Sequence, residues 1–228
     1  MSVISDVDSE ILRHGWKNCR VPVIEHATNS NLSTYNRFFN AKMYSKLNVW
    51  AIAEAYEAVL FLDSDTLMIR DASPLFTHHV AAMQRAGHSL GAVWDSPLSL
   101  RKNFNAGVML LTVRAENLNG NMTAYEELAA SISHVEHDEN YAEQGLLNSF
   151  FNEKKFYELP FIYNANVVSK ILETESVWIP NENTISILHY TVSKGWESFR
   201  HFIPWPPYSS FICWYWNTDD LCWLWDQI

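Results

Sequence analysis

Two aspartates one residue apart, Asp63 and Asp65, directly follow the apolar run Ala58–Leu62. Residues i and i+2 of a strand share a face, and a turn at the small Ser64 can bring both carboxylates onto one ion. Hard cations such as Mg²⁺ or Mn²⁺ prefer carboxylate, water and phosphate oxygens, and such an ion can bridge a diphosphate. The spacing therefore indicates a metal site. The alternative is a solvated turn in which Asp65 caps the next segment.

The elements that would position this pair alternate between strands and helices. Short apolar or β-rich runs predict strands within 21–24, 58–62, 89–95, 106–113 and 185–190. Periodic runs predict helices within 40–56, 122–136 and 141–154. This order indicates an α/β sandwich with a largely parallel or mixed sheet, in which 58–62 is a central strand buried on both faces. Ligands of such sheets bind at the carboxyl ends of strands, where the two aspartates lie.

Composition limits the classes of function. The 228 residues are 48% hydrophobic with a net charge of −10, so the chain is globular and has no basic face for nucleic acid. An anionic ligand remains compatible if a metal ion supplies positive charge. The three cysteines form no CxxC pair and favour reduced thiols, with a Cys213–Cys222 disulfide as the alternative. No apolar run approaches the ~18 residues of a membrane span and no signal peptide is visible, so the chain as given is expected to be cytoplasmic.

One further cluster has metal-like spacing. His134 and His137 lie three residues apart among acidic residues in HVEHDEN, a spacing that could place both imidazoles on one helical face. No third ligand matches this pair in the sequence, so a solvated polar face is expected instead.

Five segments, in order, resemble the glycogenin-like glycosyltransferases of family 8. They are SKLNVWAIAEAYEAVLFLDSDTLMIRDASPLF, WDSP followed by NFNAGVMLL, AEQGLLNSFF, LPFIYNAN and ILHYTVSKGW. The resemblance implies a GT-A fold, an α/β architecture with a Rossmann-like mixed sheet flanked by helices, and a retaining, metal-dependent enzyme. The implied reaction moves a hexosyl group from a UDP-sugar donor to a hydroxyl acceptor on a glycan, a protein or a small molecule. The alternative is a catalytically inactive transferase-like domain that binds a sugar or a protein partner.

The resemblance also implies a metal centre. Its ligands are Asp63, Asp65 and His189, and the expected ion is Mn²⁺ or Mg²⁺. A neutral imidazole beside two carboxylates suits Mn²⁺, although a histidine among apolar neighbours is by itself more often a core residue. Lys194 matches a lysine that contacts the diphosphate, and Lys46 matches one near the donor phosphate, where a compact cation offsets charge.

The same blocks imply contacts with the donor sugar. Asp95 matches a carboxylate that binds sugar hydroxyls, and Asn164 matches a residue that positions donor or acceptor. The block that lines the sugar holds Asn105, Ala106 and Gly107. Gly107 could equally be a glycine that permits close approach of the backbone.

Glu143 and Gln144 match an Asp-Gln pair that lies beneath the anomeric carbon. Retention of configuration needs either a covalent intermediate or same-face attack guided by the leaving phosphate, and the family lacks a well-placed strong nucleophile. Gln144 is therefore expected to support the oxocarbenium-like state, and Glu143 to contact sugar hydroxyls. Alternatively, Glu143 is an acid of the first helical turn, which the helix dipole favours.

Three departures from the family bear on these expectations. The family's first strand and helix, which carry uracil and ribose contacts, are expected to be absent, which would remove part of the nucleotide pocket. Val192 stands where the family has a glycine near the diphosphate, and Glu143 is one methylene longer than aspartate. If an N-terminal anchor is missing, the Golgi lumen is the alternative compartment.

The chain is expected to contain a catalytic domain over 1–200 and an aromatic-rich segment over 201–228. That segment is rich in tryptophan and proline. It is expected to pack on the core, with a platform for a sugar or lipid-like acceptor as the alternative. Association into a homodimer is left open.

Overall fold

Seven strands in two sheets, with helices around them, form the part of the chain that the computed structural model describes. The described residues are 21–24, 42–95, 103–112, 123–138, 141–151 and 156–191. The strands are β1 (Ala58–Leu62), β2 (Thr66–Met68), β3 (Leu90–Trp94), β4 (Phe104–Thr112), β5 (Tyr157–Glu158), β6 (Ala165–Asn166) and β7 (Ile187–His189).

One sheet has the order β1-β4-β3-β5, and the other has the order β2-β7-β6. In the first, β4 is antiparallel to both β1 and β3, while β5 is parallel to β3. In the second, β2 is antiparallel to β7 and β6 is parallel to it. The predicted mixed α/β architecture is therefore confirmed, with antiparallel pairs around the long strand β4.

One α-helix precedes β1 in the chain, and the other α-helices lie between later strands. They are α1 (Asn48–Ala53), α2 (Val80–Ala86), α3 (Ala124–Ser131), α4 (Ala142–Phe151), α5 (Ser169–Leu172) and α6 (Ile179–Asn181). A 3₁₀ turn, Tyr44–Leu47, leads into α1, and α3 begins with a capping box between Thr123 and Glu126. α2 ends at Gly87, whose φ of 76° is the left-handed conformation that glycine adopts without steric penalty.

The core is built on both faces of β4, whose nine residues are all buried. One face packs against α1, α3 and α4 through residues that include Trp50, Leu128 and Leu146. The other packs against α2 and the second sheet through residues that include Met83 and Ile187. Helices cover one face and helix plus strand cover the other, so the polar side chains of β4 must find partners inside the protein.

The alternation of faces along β4 breaks at Gly107. Phe104 and Ala106 face the α1 side, whereas Val108 faces the α2 side. The pairing with β3 shifts at the same place, because Ala92 lies opposite Met109 while the next residue, Val93, lies opposite Asn105. Irregularities of this kind redirect side chains. Here the shift separates the core half of β4 from the half that carries the polar residues of the candidate site.

Two details of the predicted elements are wrong. The strand predicted over 21–24 has no regular secondary structure. Side chains hold this segment instead, since Ser45 Oγ accepts from the N–H of Ile24 and Asn48 donates to the carbonyl of Pro22. The segment 58–62 is a strand as predicted, but it is half-buried and not buried on both faces. Among the described strands the fully buried one is β4, with β1 beside it.

Candidate metal and sugar site

The Asp-x-Asp turn is held by backbone hydrogen bonds from both sheets. The Asp63 N–H donates to the Gly107 carbonyl of β4 at 2.7 Å, and the Tyr190 N–H donates to the Asp65 carbonyl at 2.9 Å. The turn is closed by Thr66, whose N–H and hydroxyl both donate to the Asp63 carbonyl, at 3.1 and 2.8 Å. These bonds fix where the two carboxylates lie without using their side chains.

His189 brings a third donor to the two aspartates. It ends β7 directly opposite Thr66 of β2, so the strand pairing places its ring beside the turn. His189 Nε2 lies 3.3 Å from Asp65 Oδ1, and one ligand atom from each of Asp63, Asp65 and His189 lies within 4.8 Å of the others. Two carboxylates and one buried imidazole form a donor set that fits Mn²⁺ or Mg²⁺. The residues predicted as metal ligands are thus brought together.

Gly107 lies against the His189 ring. A Cβ at this position would lie 2.0 Å from His189 Cε1 and 2.7 Å from each ring nitrogen, which no side chain tolerates. The glycine therefore gives the imidazole its place against β4. This matches the alternative interpretation of Gly107, close approach of another group to the backbone.

Lys46 lies between two carboxylates. Its Nζ is 3.0 Å from Asp63 Oδ1, 2.7 Å from Glu143 Oε1 and 3.4 Å from the Ala106 carbonyl, and its side chain is 8% exposed. Burial lowers the pKa of the Lys46 amine, but Glu143 and Asp63 outweigh burial, so that pKa lies above its ordinary value. Burial raises the pKa of the Glu143 carboxyl, although Lys46 opposes this shift. The ammonium thus offsets two negative charges at the site.

Asp95, Asn105 and Gln144 form a hydrogen-bonded group at the start of β4. Asn105 donates to Asp95 Oδ1 at 2.8 Å, and Gln144 Nε2 donates to Asp95 Oδ2 at 3.4 Å. Gln144 Oε1 accepts the N–H of Ala106 at 3.0 Å. The predicted sugar-side residues are therefore neighbours, although they come from three separate segments.

Asn164 connects this group to the histidine. Its Nδ2 donates to Asn105 Oδ1 at 3.0 Å, and its Oδ1 lies 2.9 Å from His189 Nδ1. Asn164 follows the 3₁₀ turn Phe161–Tyr163 and is 2% exposed. Its observed contacts are with protein groups on the histidine side of the site.

Asn148 was not predicted as a site residue, yet it secures Gln144. It lies one helical turn after Gln144 on α4 and bonds both the N–H and the carbonyl of Phe104, at 2.8 and 2.9 Å. Its amide also donates to the Gln144 carbonyl at 2.9 Å. The i, i+4 spacing within AEQGLLN is the signal that could have identified it.

The remaining predictions divide by location. His134 is exposed, and His137 lies 2.7 Å from the Tyr44 hydroxyl through Nε2 and 2.7 Å from the Val135 carbonyl through Nδ1. In the described ranges these two histidines belong to no group able to hold a metal, in contrast to Asp63, Asp65 and His189. Lys194, Val192 and the segment 201–228 lie outside the described residues.

None of the helices in the described ranges has the length and apolarity needed to cross a bilayer.

Solved structures share this fold. The glycosyltransferase GlyE of Streptococcus pneumoniae TIGR4 matches with a TM-score of 0.50 and 24% identity, over 68% of this chain and 38% of that chain. The bifunctional glycosyltransferase WbbM matches with a TM-score of 0.52 and 17% identity, over 74% of this chain and 34% of that chain. The fold is that of the GT-A glycosyltransferases.

Sequence comparison names the family. The family model described as glycosyl transferase family 8 matches residues 3–199, so the chain belongs to glycosyl transferase family 8. Among curated proteins, glycogenin-1 of Caenorhabditis elegans is 30% identical over 149 residues, which are 63% of this chain and 30% of that protein. The chain therefore spans less than half the length of each of these relatives.

Proposed function

We propose that this chain is a retaining, metal-dependent glycosyltransferase that moves a hexosyl group from a UDP-sugar to a hydroxyl acceptor. The observation that carries the proposal is the donor group of Asp63, Asp65 and His189, whose ligand atoms lie within 4.8 Å of one another in a family 8 chain. Its hard oxygen donors match a cation that also binds phosphate oxygens.

These three residues would hold Mn²⁺ or Mg²⁺. When bound, such an ion supplies positive charge for the diphosphate as the sugar departs. The protein keeps the ligands in place through main-chain bonds to Asp63 and Asp65 and through the pairing of β2 with β7. Lys46 adds one positive charge beside Asp63, near the place proposed for the donor phosphate.

The group around Asp95 is the proposed sugar subsite. Asp95 and Asn105 offer a carboxylate and an amide for sugar hydroxyls, with Ala106 and Gly107 beside them on β4. Gln144 lies next to Asp95, and its neutral amide is suited to stabilise developing positive charge without forming a covalent bond. Glu143 forms a buried ion pair with Lys46. A contact between Glu143 and the hydroxyls of the donor sugar stays a prediction. A contact between Lys194 and the diphosphate stays a prediction.

Isothermal titration of the full chain with UDP in the presence of Mn²⁺ tests the proposal. We expect binding that depends on the ion and that Asp65→Ala reduces by at least about tenfold, as loss of a metal ligand predicts. Asp71→Asn is the control, because Asp71 is exposed and its carboxylate bonds Ser73 in its own turn. Failure of the wild-type chain to bind UDP, or unchanged binding by Asp65→Ala, would contradict the metal-dependent donor site.

Turnover separates the enzyme from its alternative. Release of UDP from a UDP-hexose, with retention of the sugar's anomeric configuration in the product, supports transfer. Binding of UDP and Mn²⁺ without turnover against a panel of hydroxyl acceptors would instead support a domain that binds a sugar or a protein partner.

A further inference from the structure

A chain of hydrogen bonds runs from the backbone of β4 to His189, and only one assignment of donors and acceptors satisfies every bond in it. It begins at the Gly107 N–H, which can only donate and lies 2.9 Å from the Asn105 side chain. The Asn105 atom that faces it must therefore be Oδ1. Asp95 confirms this orientation, because a carboxylate only accepts and it lies 2.8 Å from the other end of the Asn105 amide.

The orientation of Asn105 dictates that of Asn164. Asn105 Oδ1 can accept a second bond, so the Asn164 atom 3.0 Å away must be the donor Nδ2. Asn164 Oδ1 then faces His189 Nδ1 at 2.9 Å and can only accept. The proton of the imidazole must consequently be on Nδ1, which leaves the lone pair of a neutral ring on Nε2.

That lone pair points to the aspartates. In a neutral ring, Nε2 and Asp65 Oδ1 are two acceptors 3.3 Å apart, an arrangement that a cation between them would stabilise. Asn105, Asn164 and His189 are 7%, 2% and 3% exposed, so solvent has little access to offset a wrongly oriented amide.

We infer that Asn105 and Asn164 are positioning residues that hold His189 in the Nδ1–H tautomer, with Nε2 presented as a metal ligand before any ion binds. The inference rests on the proposed metal-binding role of His189 and gives the two asparagines a role beyond contact with substrate. We call this chain of hydrogen bonds, from the Gly107 N–H through Asn105 and Asn164 to His189, the relay. Gly107 has two roles in it: its N–H fixes the orientation of Asn105, and its lack of a Cβ leaves room for the His189 ring.

Nitrogen-15 NMR of the metal-free protein at pH 8 tests the inference directly. The His189 resonances are assigned by their loss in His189→Gln. We expect a protonated Nδ1 and an unprotonated Nε2 in the wild type. The same tautomer is expected in Asn164→Asp, whose carboxylate still accepts from Nδ1 although it can no longer donate to Asn105 Oδ1. In Asn164→Leu the acceptor is removed, and we expect the proton to move to Nε2, where it can bond Asp65.

Manganese titration supplies the second measurement. Asn164→Leu is expected to weaken Mn²⁺ binding by about 10- to 100-fold, as the loss of an outer-shell partner does elsewhere, and Asn164→Asp is expected to restore most of it. Asn48→Leu is the matched control, because Asn48 is 4% exposed and donates to the carbonyls of Pro22 and Ser45. It should lower stability without changing the tautomer or the affinity.

Any other protonation state of wild-type His189, or an unchanged tautomer in Asn164→Leu, would overturn the inference. If Asn164→Leu does not fold, Asn164→Asp decides the question, and a ring without a proton on Nδ1 in that variant would also overturn the inference. A wild type with the expected tautomer but no binding of UDP and Mn²⁺ would overturn the proposed function and leave the relay intact. If the metal-free wild type carries the imidazole proton on Nε2 and still binds UDP and Mn²⁺, the inference about the two asparagines is wrong and the proposed function stands.

Discussion

Lys46 shows how a single buried residue can hold a site together before any ligand arrives. Its ammonium lies within 3.0 Å of both Asp63 and Glu143. A buried lysine without such partners would lose its proton easily, whereas two carboxylates keep this one charged. The reverse also holds, because Glu143 is 3% exposed and depends on Lys46 for compensation of its charge.

Replacing Lys46 by methionine should destabilise the fold, because one buried carboxylate is left without its counter-charge. We expect the free energy of unfolding at pH 8 to fall by about 3 kcal/mol, the lower end of the range for breaking a buried pair. Urea denaturation measures it. Arg85→Met, which removes an exposed cation from the last turn of α2, should change stability by no more than about 0.5 kcal/mol.

The same variant should also change the pH dependence of stability. Without Lys46, burial holds the pKa of Glu143 still further above its unfolded value of about 4.3. A carboxyl whose folded pKa is raised destabilises the fold increasingly as the pH rises through the interval between the two values. The deficit of Lys46→Met relative to wild type should therefore shrink as the pH falls from 8 towards 5. A deficit independent of pH would contradict this account of Glu143.

At the scale of elements, the irregularity in β4 organises the site. From Val108 to its end the strand packs in the core, whereas the residues before Val108, Asn105 to Gly107, lie beside the candidate site. A regular strand would have kept Ala106 and Val108 on the same face. The shift therefore lets one strand line both the hydrophobic core and the polar group beside His189.

Gly107→Ala tests this arrangement, with Gly91→Ala as its match on the neighbouring strand. At Gly107 the new methyl meets the His189 ring at 2.0 Å, whereas at Gly91 it meets Met83 Sδ at 2.9 Å, the mobile end of a flexible side chain. We expect Gly107→Ala to lower the free energy of unfolding by about 3 kcal/mol and Gly91→Ala by about 1 kcal/mol. Mn²⁺ affinity should fall only in Gly107→Ala. Equal affinities in the two variants would contradict the packing role of Gly107.

The elements differ in how far their sequences predict them. β1, β3, β4 and β7 are apolar, β-rich runs, and α3 and α4 are periodic, so local patterns place them to within a few residues. The two-residue strands β5 and β6 have no pattern of their own, because partners far along the chain define them. Segment 21–24 resembles a strand in composition but is held by Ser45 and Asn48 instead.

The site shows the same division. Asp63 and Asp65 lie one residue apart in the chain and were predicted as a pair from that spacing, whereas the family resemblance implied His189. The contacts between Gln144 and Asp95, 49 residues apart, and between His189 and Asn164, 25 residues apart, depend on how strands and helices pack. No sequence period encodes these contacts, and the register shift in β4 that permits them has no local signature.

At the scale of the molecule, the candidate metal group lies where the two sheets meet. Asp63 follows β1 of the first sheet, His189 ends β7 of the second, and the 63–66 turn passes from one sheet to the other. A ligand that bridges these residues would therefore stabilise the pairing of the sheets as well as bind locally.

Thermal unfolding with and without Mn²⁺ should show this coupling. An ion that binds only the folded state adds about 2.7 kcal/mol at a concentration 100 times its Kd, which raises Tm, and a chelator should reverse the rise. Because the chain carries a net charge of −10, diffuse binding of cations must be excluded. Asp65→Ala is the control and should lose the rise. If Mn²⁺ raises the Tm of Asp65→Ala as much as that of the wild type, the ion binds at another place.

Asn148 and Gln144 have one more consequence, which concerns where β1 stops. The pairing of β1 with β4 ends at Leu62 opposite Val108, because the chain then turns away as Asp63–Thr66. In the part of β4 before Val108, side-chain amides take the place of a strand's peptide groups. The N–H and carbonyl of Phe104 bond the Asn148 amide, and the N–H of Ala106 donates to Gln144 Oε1. Two side-chain amides of helix α4 thus take the place of a neighbouring strand along the first residues of β4. This allows β1 to end at Leu62, so that the residues after it, Asp63 and Asp65, can form the turn of the candidate metal group.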